Sequence, residues 1–405
     1  MANATITPTI IAKEALMQLE NNLVMGNNVH REYKKEFVKV GSSVNIRKPV
    51  KFSVTDGALL TKQDVEEANS SITVDQRKHV GWGFSTQDLT LSIDEYSERY
   101  IKPACIALAN KVDLDMCGLY DDVWNWAGTP GQTVNSFTDF AKAPQRLDEM
   151  AVPVDQRKAV FSPADHWGLL GNQTGLFMQD VAKGAYRKGS LGMIGGVDTF
   201  MDQNVRTHTV GAHAGTPLVD GASQATTYAL SKTTNTQTFT IDGVTGAGTL
   251  KAGDVFTIAD VYAVNPVSKE STGTLAQFVI TTDVATVSSS LDVDMTIAPA
   301  IITSGPHQNV NSAPADDAAI TFLGTASTAY KQNLVYHKNA FALVVCPLEM
   351  PDGCSFKARE THNGLSIRVV KDYDITTDEE IIRMDILYGK KAIYPDLATR
   401  LSGTA

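Results

Sequence analysis

Residues able to do chemistry are present, but their spacing leads away from catalysis. Gly192-Met193-Ile194-Gly195-Gly196 comes nearest to a phosphate-cradling loop, yet no Lys-Ser/Thr pair follows it and no strand pattern precedes it, so it reads as a turn. No GxGxxG, GxSxG or HExxH pattern occurs. Of eight histidines only His208 and His213 are near neighbours, and no cysteine lies close enough to complete a tetrahedral zinc set. Both read as loop histidines. Asp113 and Asp115 stand two apart in a helical pattern, so they face different sides and do not share a proton or a cation. Asp372, Asp374, Asp378, Glu379 and Glu380 form an acidic group before a strand, read as solvated surface with a weak cation site as the other possibility. Cys105, Cys117, Cys346 and Cys354 show no CxxC spacing and read as reduced, buried thiols. No catalytic, cofactor-binding or metal-binding residue is therefore expected, and an enzyme is not expected either.

A different kind of site is suggested by Arg47, Lys48 and Lys51, which lie on or beside an alternating strand. Two readings stay open: an edge strand protected from aggregation by its charge, or a basic rail that meets an acidic neighbouring subunit. Both place the segment at an exposed position.

The elements that position these residues follow from periodicity. Thr7 and Pro8 open a helix over 7–25, with Ala12, Leu16, Leu19 and Leu23 along one stripe. A charged stretch follows, containing Arg31, Glu32, Lys34, Lys35, Glu36 and Lys39. Val44, Ile46, Val50, Phe52 and Val54 then alternate with polar residues, as do Ile72, Val74, Val80, Trp82 and Phe84. These two strands predict a long β-hairpin, which needs a covering surface because an isolated hairpin is marginal in water. Ser92 and Glu95 form a capping box ahead of Ile101, Cys105, Leu108, Val112, Met116, Leu119 and Val123 at helical spacing, with Pro103 either kinking that long helix or starting it. An α/β region follows: a helix over 137–150, a strand over 158–161, a helix opened by Ser162-Pro163, and a glycine-rich stretch over 172–196 that holds Lys183, Arg187 and Lys188. Residues 221–330 hold 20 threonines and only three Lys plus Arg against nine Asp plus Glu, which marks a separate β domain inserted into a host. α/β character returns at 340–345, and the chain runs on through 367–370 and 381–388 to a turn at Tyr394-Pro395.

Composition narrows the class of protein. The 405 residues are 43% hydrophobic and 20% charged, which excludes wholesale disorder. A net charge of −10 argues against non-specific nucleic-acid binding by the protein as a whole. No apolar run approaches the roughly 20 residues that span a bilayer, and nothing at the N-terminus reads as a secretion signal, so use in the cytosol is expected.

The order of amphipathic arm, β-hairpin, long helix, α/β region, β insertion and return to α/β resembles the major capsid proteins of tailed bacteriophages, the HK97-like fold. Residues 249–258 with 276–280 resemble the inserted β-barrel of the P22-type coat proteins. Asn110-Lys111-Val112-Asp113 in the long-helix position and Leu387-Tyr388-Gly389 before the last strand add to the likeness. The resemblance implies an α+β fold: an N-arm at 1–40, an E-loop hairpin at 41–90, a spine helix at 91–130, a peripheral and axial α/β region at 131–220, a β-barrel-like insertion at 221–330, and a return to the axial and peripheral region at 331–405. It implies a shell protein whose pentamers and hexamers build an icosahedral capsid, through a procapsid, around double-stranded DNA held non-specifically. It further implies a scaffolding protein and a portal protein as partners, assembly in the host bacterial cytoplasm, no cofactor, no membrane and no lysine–asparagine cross-link. Candidate subunit contacts are Arg47, Lys48 and Lys51 on the hairpin and Leu16, Leu19 and Leu23 on the arm, which is also the expected scaffold-facing element. The glycine-rich stretch and the bend near Pro103 are where subunits would flex between pentamer and hexamer. The alternatives are an encapsulin-like nanocompartment shell, a β-rich adhesion module suggested by the threonines, and an enzyme with an unrecognised site.

Overall fold

The computed structural model describes residues 8–32, 43–54, 57–58, 60, 62–63, 65–85, 100–173, 189–245, 248–286, 292–354 and 356–404. Thr7, the run Lys34, Lys35, Glu36 and Lys39, the Ser92/Glu95 capping box, and Lys183, Arg187 and Lys188 lie outside them, as does the Val44 side chain. The chain opens with α1 (Pro8–Asn22), β1 (Ser43–Lys48), β2 (Ala68–Thr73), β3 (Gln76–Ser85) and α2 (Lys102–Cys117). Then come β4 (Trp126–Ala127), α3 (Phe137–Glu149), β5 (Arg157–Phe161), α4 (Pro163–Gln173), β6 (Met193–Ile194), β7 (Val197–Met201) and β8 (Thr207–Thr209). The threonine-rich part supplies β9 (Ala214–Val219), β10 (Gln237–Thr245), β11 (Gly248–Leu250), β12 (Val255–Val264), β13 (Ser271–Ile280), β14 (Val284–Thr286), β15 (Val293–Ala298) and β16 (Ile320–Phe322). The chain continues through β17 (Ala329–Lys331), β18 (Asn333–His337), β19 (Phe341–Val345), β20 (Phe356–His362), β21 (Leu365–Asp374), β22 (Glu379–Ala392) and β23 (Ala398–Leu401). These elements fall into two compact units.

Unit one comprises residues 1–45, 71–117 and 341–391. Its sheet runs β19-β22-β21-β20, with β3 also paired to β22 over Gln76–Ser85. Period-2 alternation gives this sheet a buried face of Ile367, Val369, Ile382, Met384 and Ile386. Helix α1 packs on β20, β21 and α2, and α2 packs on β3. Cys105, Leu108, Val112 and Met116 of α2 are buried at the spacing read from the sequence. The α-helical span is Lys102–Cys117, with Pro103 at its second residue and π-helical backbone at Tyr100 and Ile101 just before it.

Unit two comprises residues 46–70, 118–340 and 392–405. A six-stranded sheet in the order β4-β23-β18-β5-β7-β6 packs on Phe140, Ala143 and Leu147 of α3 and Leu169 of α4. Gly195 and Gly196, at φ 55° and 78°, make the two-residue turn between β6 and β7. The insertion is a six-stranded sheet in the order β16-β12-β13-β15-β10-β9, and a bridge between Leu218 and Ala319 joins its two edges into a barrel. Phe239, Ile241, Phe256, Ile258 and Phe278 fill the interior, while Thr238, Thr240 and Thr257 alternate outward, which accounts for the threonine enrichment. Strand β9 precedes the change in composition yet belongs to the barrel.

Two expectations need correction. The long two-stranded hairpin is shorter: among the described residues β1 pairs only β2, β1 ends at Lys48, and Phe52 and Val54 are exposed instead of lying on a buried strand face. Pro49 has no N–H for a ladder, and β3 is drawn away by its ten-residue pairing with β22. The return to α/β over 331–405 brings strands and short 3₁₀ turns, with no α-helix among the described residues.

Candidate assembly surface and the buried charges behind it

The hairpin places the predicted cations on an exposed arm. Arg47 lies 3.6 Å from Glu67, both largely exposed, a pair that contributes about 0–1 kcal/mol. Lys48 is half-buried and Lys51 exposed. Gln63 holds the arm together beyond β1: its carbonyl accepts the Ser53 N–H at 3.0 Å while its amide donates to the Ser53 carbonyl. Ile46, Ala68 and Ser70 are buried. Beyond them Phe52, Val54, Leu60 and Val65 are 65%, 95%, 83% and 61% exposed, a concentration of apolar side chains that solvent does not favour.

The arm leucines lie elsewhere. Leu16, Leu19 and Leu23 are buried within unit one, where α1 packs on α2, β20 and β21. Their stripe is covered by the core of unit one.

Within unit one, carboxylates that the sequence reading set aside as catalytic candidates serve as anchors. Asp113, 1% exposed, accepts the Val24 N–H at 2.6 Å and the Gly26 N–H at 2.8 Å. Asp115 accepts the Tyr388 hydroxyl at 2.6 Å and the Lys111 ammonium at 3.0 Å, and the Lys390 ammonium donates to its backbone carbonyl at 2.5 Å. Burial pushes the Asp115 carboxyl up, but Tyr388 and Lys111 outweigh it and hold it below the usual carboxylate range. Burial and the same Asp115 drive the Tyr388 hydroxyl strongly upward, so it stays a donor. Beside it Gly389 is obligatory, because a Cβ there would stand 2.4 Å from the Thr73 carbonyl oxygen. Asp385, fully buried on β22, receives Nε and Nη2 of Arg368 at 3.2 and 2.5 Å and Nε of Arg383 at 2.8 Å.

Unit two holds a second buried centre. The Arg400 guanidinium donates to the Val123 carbonyl at 2.8 Å, the Gly253 carbonyl at 2.7 Å and Gln332 Oε1 at 3.3 Å, and lies over the rings of Tyr120 and Trp126. Burial lowers its pKa to about 10, so it remains charged at neutral pH. His208 Nε2 lies 2.7 Å from Asp254 and its Nδ1 3.1 Å from the Tyr120 hydroxyl, so a ring protonated on Nε2 satisfies all three. His213 packs on Phe322 with ring centroids 4.4 Å apart. The two histidines therefore have separate structural roles.

The remaining candidates are also accounted for locally. In the acidic turn, Asp374 accepts the Thr376 N–H at 2.8 Å, Asp378 accepts the Tyr373 hydroxyl at 2.6 Å, and Glu380 pairs with Lys371. Cys105, Cys117 and Cys346 are buried and Cys354 is half-buried; burial pushes the Cys105 thiol up to about 12. Among the described residues no group of three His, Cys, Asp or Glu is arranged to hold a metal, and no helix is long and apolar enough to cross a membrane.

The exposed side chains of Phe52, Val54, Leu60 and Val65 point to association with another surface. The family described as P22 coat protein, gene protein 5, matches residues 1–403, and the chain belongs to that family. A curated relative, the major capsid protein of Acyrthosiphon pisum secondary endosymbiont phage 1, is 24% identical over 287 residues, which cover 68% of this chain and 67% of that protein. The solved structure titled Mycobacterium phage Che8 covers 93% of this chain and 90% of its own, at 15% identity and a TM-score of 0.49. That of the CUS-3 coat protein I-domain covers 29% of this chain and 98% of its own, at 27% identity and a TM-score of 0.18. Family membership carries the assignment: this is a structural phage capsid protein of α+β fold that self-associates into a shell, and it is not an enzyme.

Proposed function

We propose that this chain forms pentamers and hexamers of an icosahedral shell around double-stranded DNA, with the hairpin of each copy laid on its neighbour. The exposed apolar group Phe52, Val54, Leu60 and Val65 carries this reading, since burying such side chains against a partner is worth about 25 cal/mol per Å². Arg47, Lys48 and Lys51 flank that group and give the contact its register on a chain of net charge −10. Residues 1–40 act as the N-arm, 41–90 as the E-loop, 91–130 as the spine, 131–220 and 331–405 as the peripheral and axial region, and 221–330 as the insertion.

A scaffolding protein directs assembly of a procapsid in the host bacterial cytoplasm, a portal protein occupies one vertex, and DNA enters without sequence-specific contacts. The acidic chain supports the last point, because a weakly repulsive wall does not trap the incoming genome. Electron microscopy and sedimentation of the chain, alone and with a scaffolding protein, test the reading. Closed shells of uniform lattice are expected; a subunit that stays monomeric with the scaffold contradicts it.

A further inference from the structure

We propose that Arg77 and Arg383 form a clamp for a carboxylate of a second copy of this chain. Lys78 reaches Asp115 of α2 at 4.0 Å, so its neighbour Arg77 points to the opposite face of β3. On β22, Arg383 and Asp385 alternate with the buried Ile382, Met384 and Ile386, which puts them on that same outer face.

Three guanidiniums converge there on one carboxylate. Arg368 is fully used, with Nε and Nη2 on Asp385 and Nη1 on the Glu349 carbonyl at 2.7 Å. Arg383 spends only Nε, at 2.8 Å, and Arg77 approaches the same Asp385 oxygen at 3.6 Å. Their side chains are 40% and 47% exposed, so their remaining donors are open to solvent. Other cations of this face are occupied: Arg359 donates to the Leu348 carbonyl, and Lys357 to the Pro351 carbonyl with Asp352 beside it. Asp385 cancels one of the three positive charges, and the surplus sits on the two arginines with free edges.

Two adjacent planar donors suit one carboxylate held bidentately. A nucleic-acid track would need a row of cations matching successive phosphates, and the chain's negative charge opposes it. Copies of this chain each bring 45 acidic residues, which makes a neighbouring copy the fitting donor. The clamp rests on the shell reading and adds a specific contact to it.

The test uses Arg77→Lys and Arg383→Lys, which keep the charge and supply an amine, in shells assembled from isotopically light and heavy copies. Zero-length carbodiimide cross-linking and mass spectrometry should find mixed-isotope pairs joining either position to an Asp or Glu of another copy. Pairs confined to one copy, or no pairs, overturn the clamp. Arg77→Gln should melt like the wild type, because Arg77 stands 3.6 Å from Asp385 while Arg368 and Arg383 still hydrogen-bond it, and shell yield should fall about tenfold. Normal shells from that variant overturn the clamp and leave the shell reading standing. DNA binding that Arg77→Gln abolishes would assign the site to phosphate and overturn it too.

Discussion

Asp113 accepts the backbone N–H of Gly26 at 2.8 Å, and its other oxygen accepts that of Val24 at 2.6 Å. One buried carboxylate thus fastens the end of the N-terminal helix to the long helix α2. Asp113→Ala leaves the buried Gly26 N–H and the half-buried Val24 N–H unpaired and should cost about 2–3 kcal/mol in chemical denaturation. Amide exchange in α1 should quicken in step. A loss below about 0.5 kcal/mol, within the range of surface substitutions, would show that packing alone holds the arm.

The Tyr388-Gly389 pair predicts two unequal effects. Tyr388→Phe removes one hydrogen bond from Asp115, which keeps Lys111, and should cost about 1–2 kcal/mol. Gly389→Ala forces a methyl against the Thr73 carbonyl and should cost more, about 3 kcal/mol. Thermal melts of both variants give the order, and an equal or reversed order contradicts the close approach.

Much of this architecture was legible in the sequence, for reasons that particular residues show. Leu16, Leu108 and Val112 announce helices because burial against one neighbouring layer enforces a 3.6-residue period. The barrel shows in alternating Phe239, Thr240 and Ile241. What sequence could not supply was long-range pairing. Val50, Phe52 and Val54 carry a strand's alternation but have no ladder, while Val80 and Trp82 carry the same alternation on a strand that pairs β22 some three hundred residues on. The anchors Asp113, Asp115, Asp385 and Arg400 were illegible as such, because a buried charge and a solvated one look alike until their partners are placed. The motif Leu387-Tyr388-Gly389 is legible in the sequence only as a family likeness, and its physical reason appears beside Asp115 and Thr73.

Arg400 should be among the most sensitive positions in unit two. Arg400→Met keeps bulk but leaves the Val123 and Gly253 carbonyls without their donor. A loss of about 3 kcal/mol is expected by denaturant titration, with Trp126 fluorescence changing because the guanidinium lies over its ring. A neutral outcome would mean the Tyr120 and Trp126 shell supports the site without charge.

Stability should fall with acid in two stages. Burial, with Lys51 and Lys269 nearby, lowers His307 to about 4 from 6.5, so the unfolded chain binds its proton first and stability drops as pH falls from about 6.5 to about 4. Asp115 and Asp385 are held below ordinary carboxylates, so their contribution is present above about pH 4 and is lost as pH falls through their folded values. His307→Phe, which keeps a ring against Tyr228, should flatten the first stage and leave the second. Melting temperature against pH reads both, and an unchanged first stage assigns it to other groups.

The most direct test of the shell account is the sedimentation of Phe52→Ser/Val54→Ser/Leu60→Ser beside the wild type under assembly conditions. All three side chains are exposed, so the variant should keep the wild-type melting temperature and yet remain as free subunits while the wild type forms closed shells. Shells from the variant at wild-type yield would contradict the hairpin as the element that joins one copy to the next.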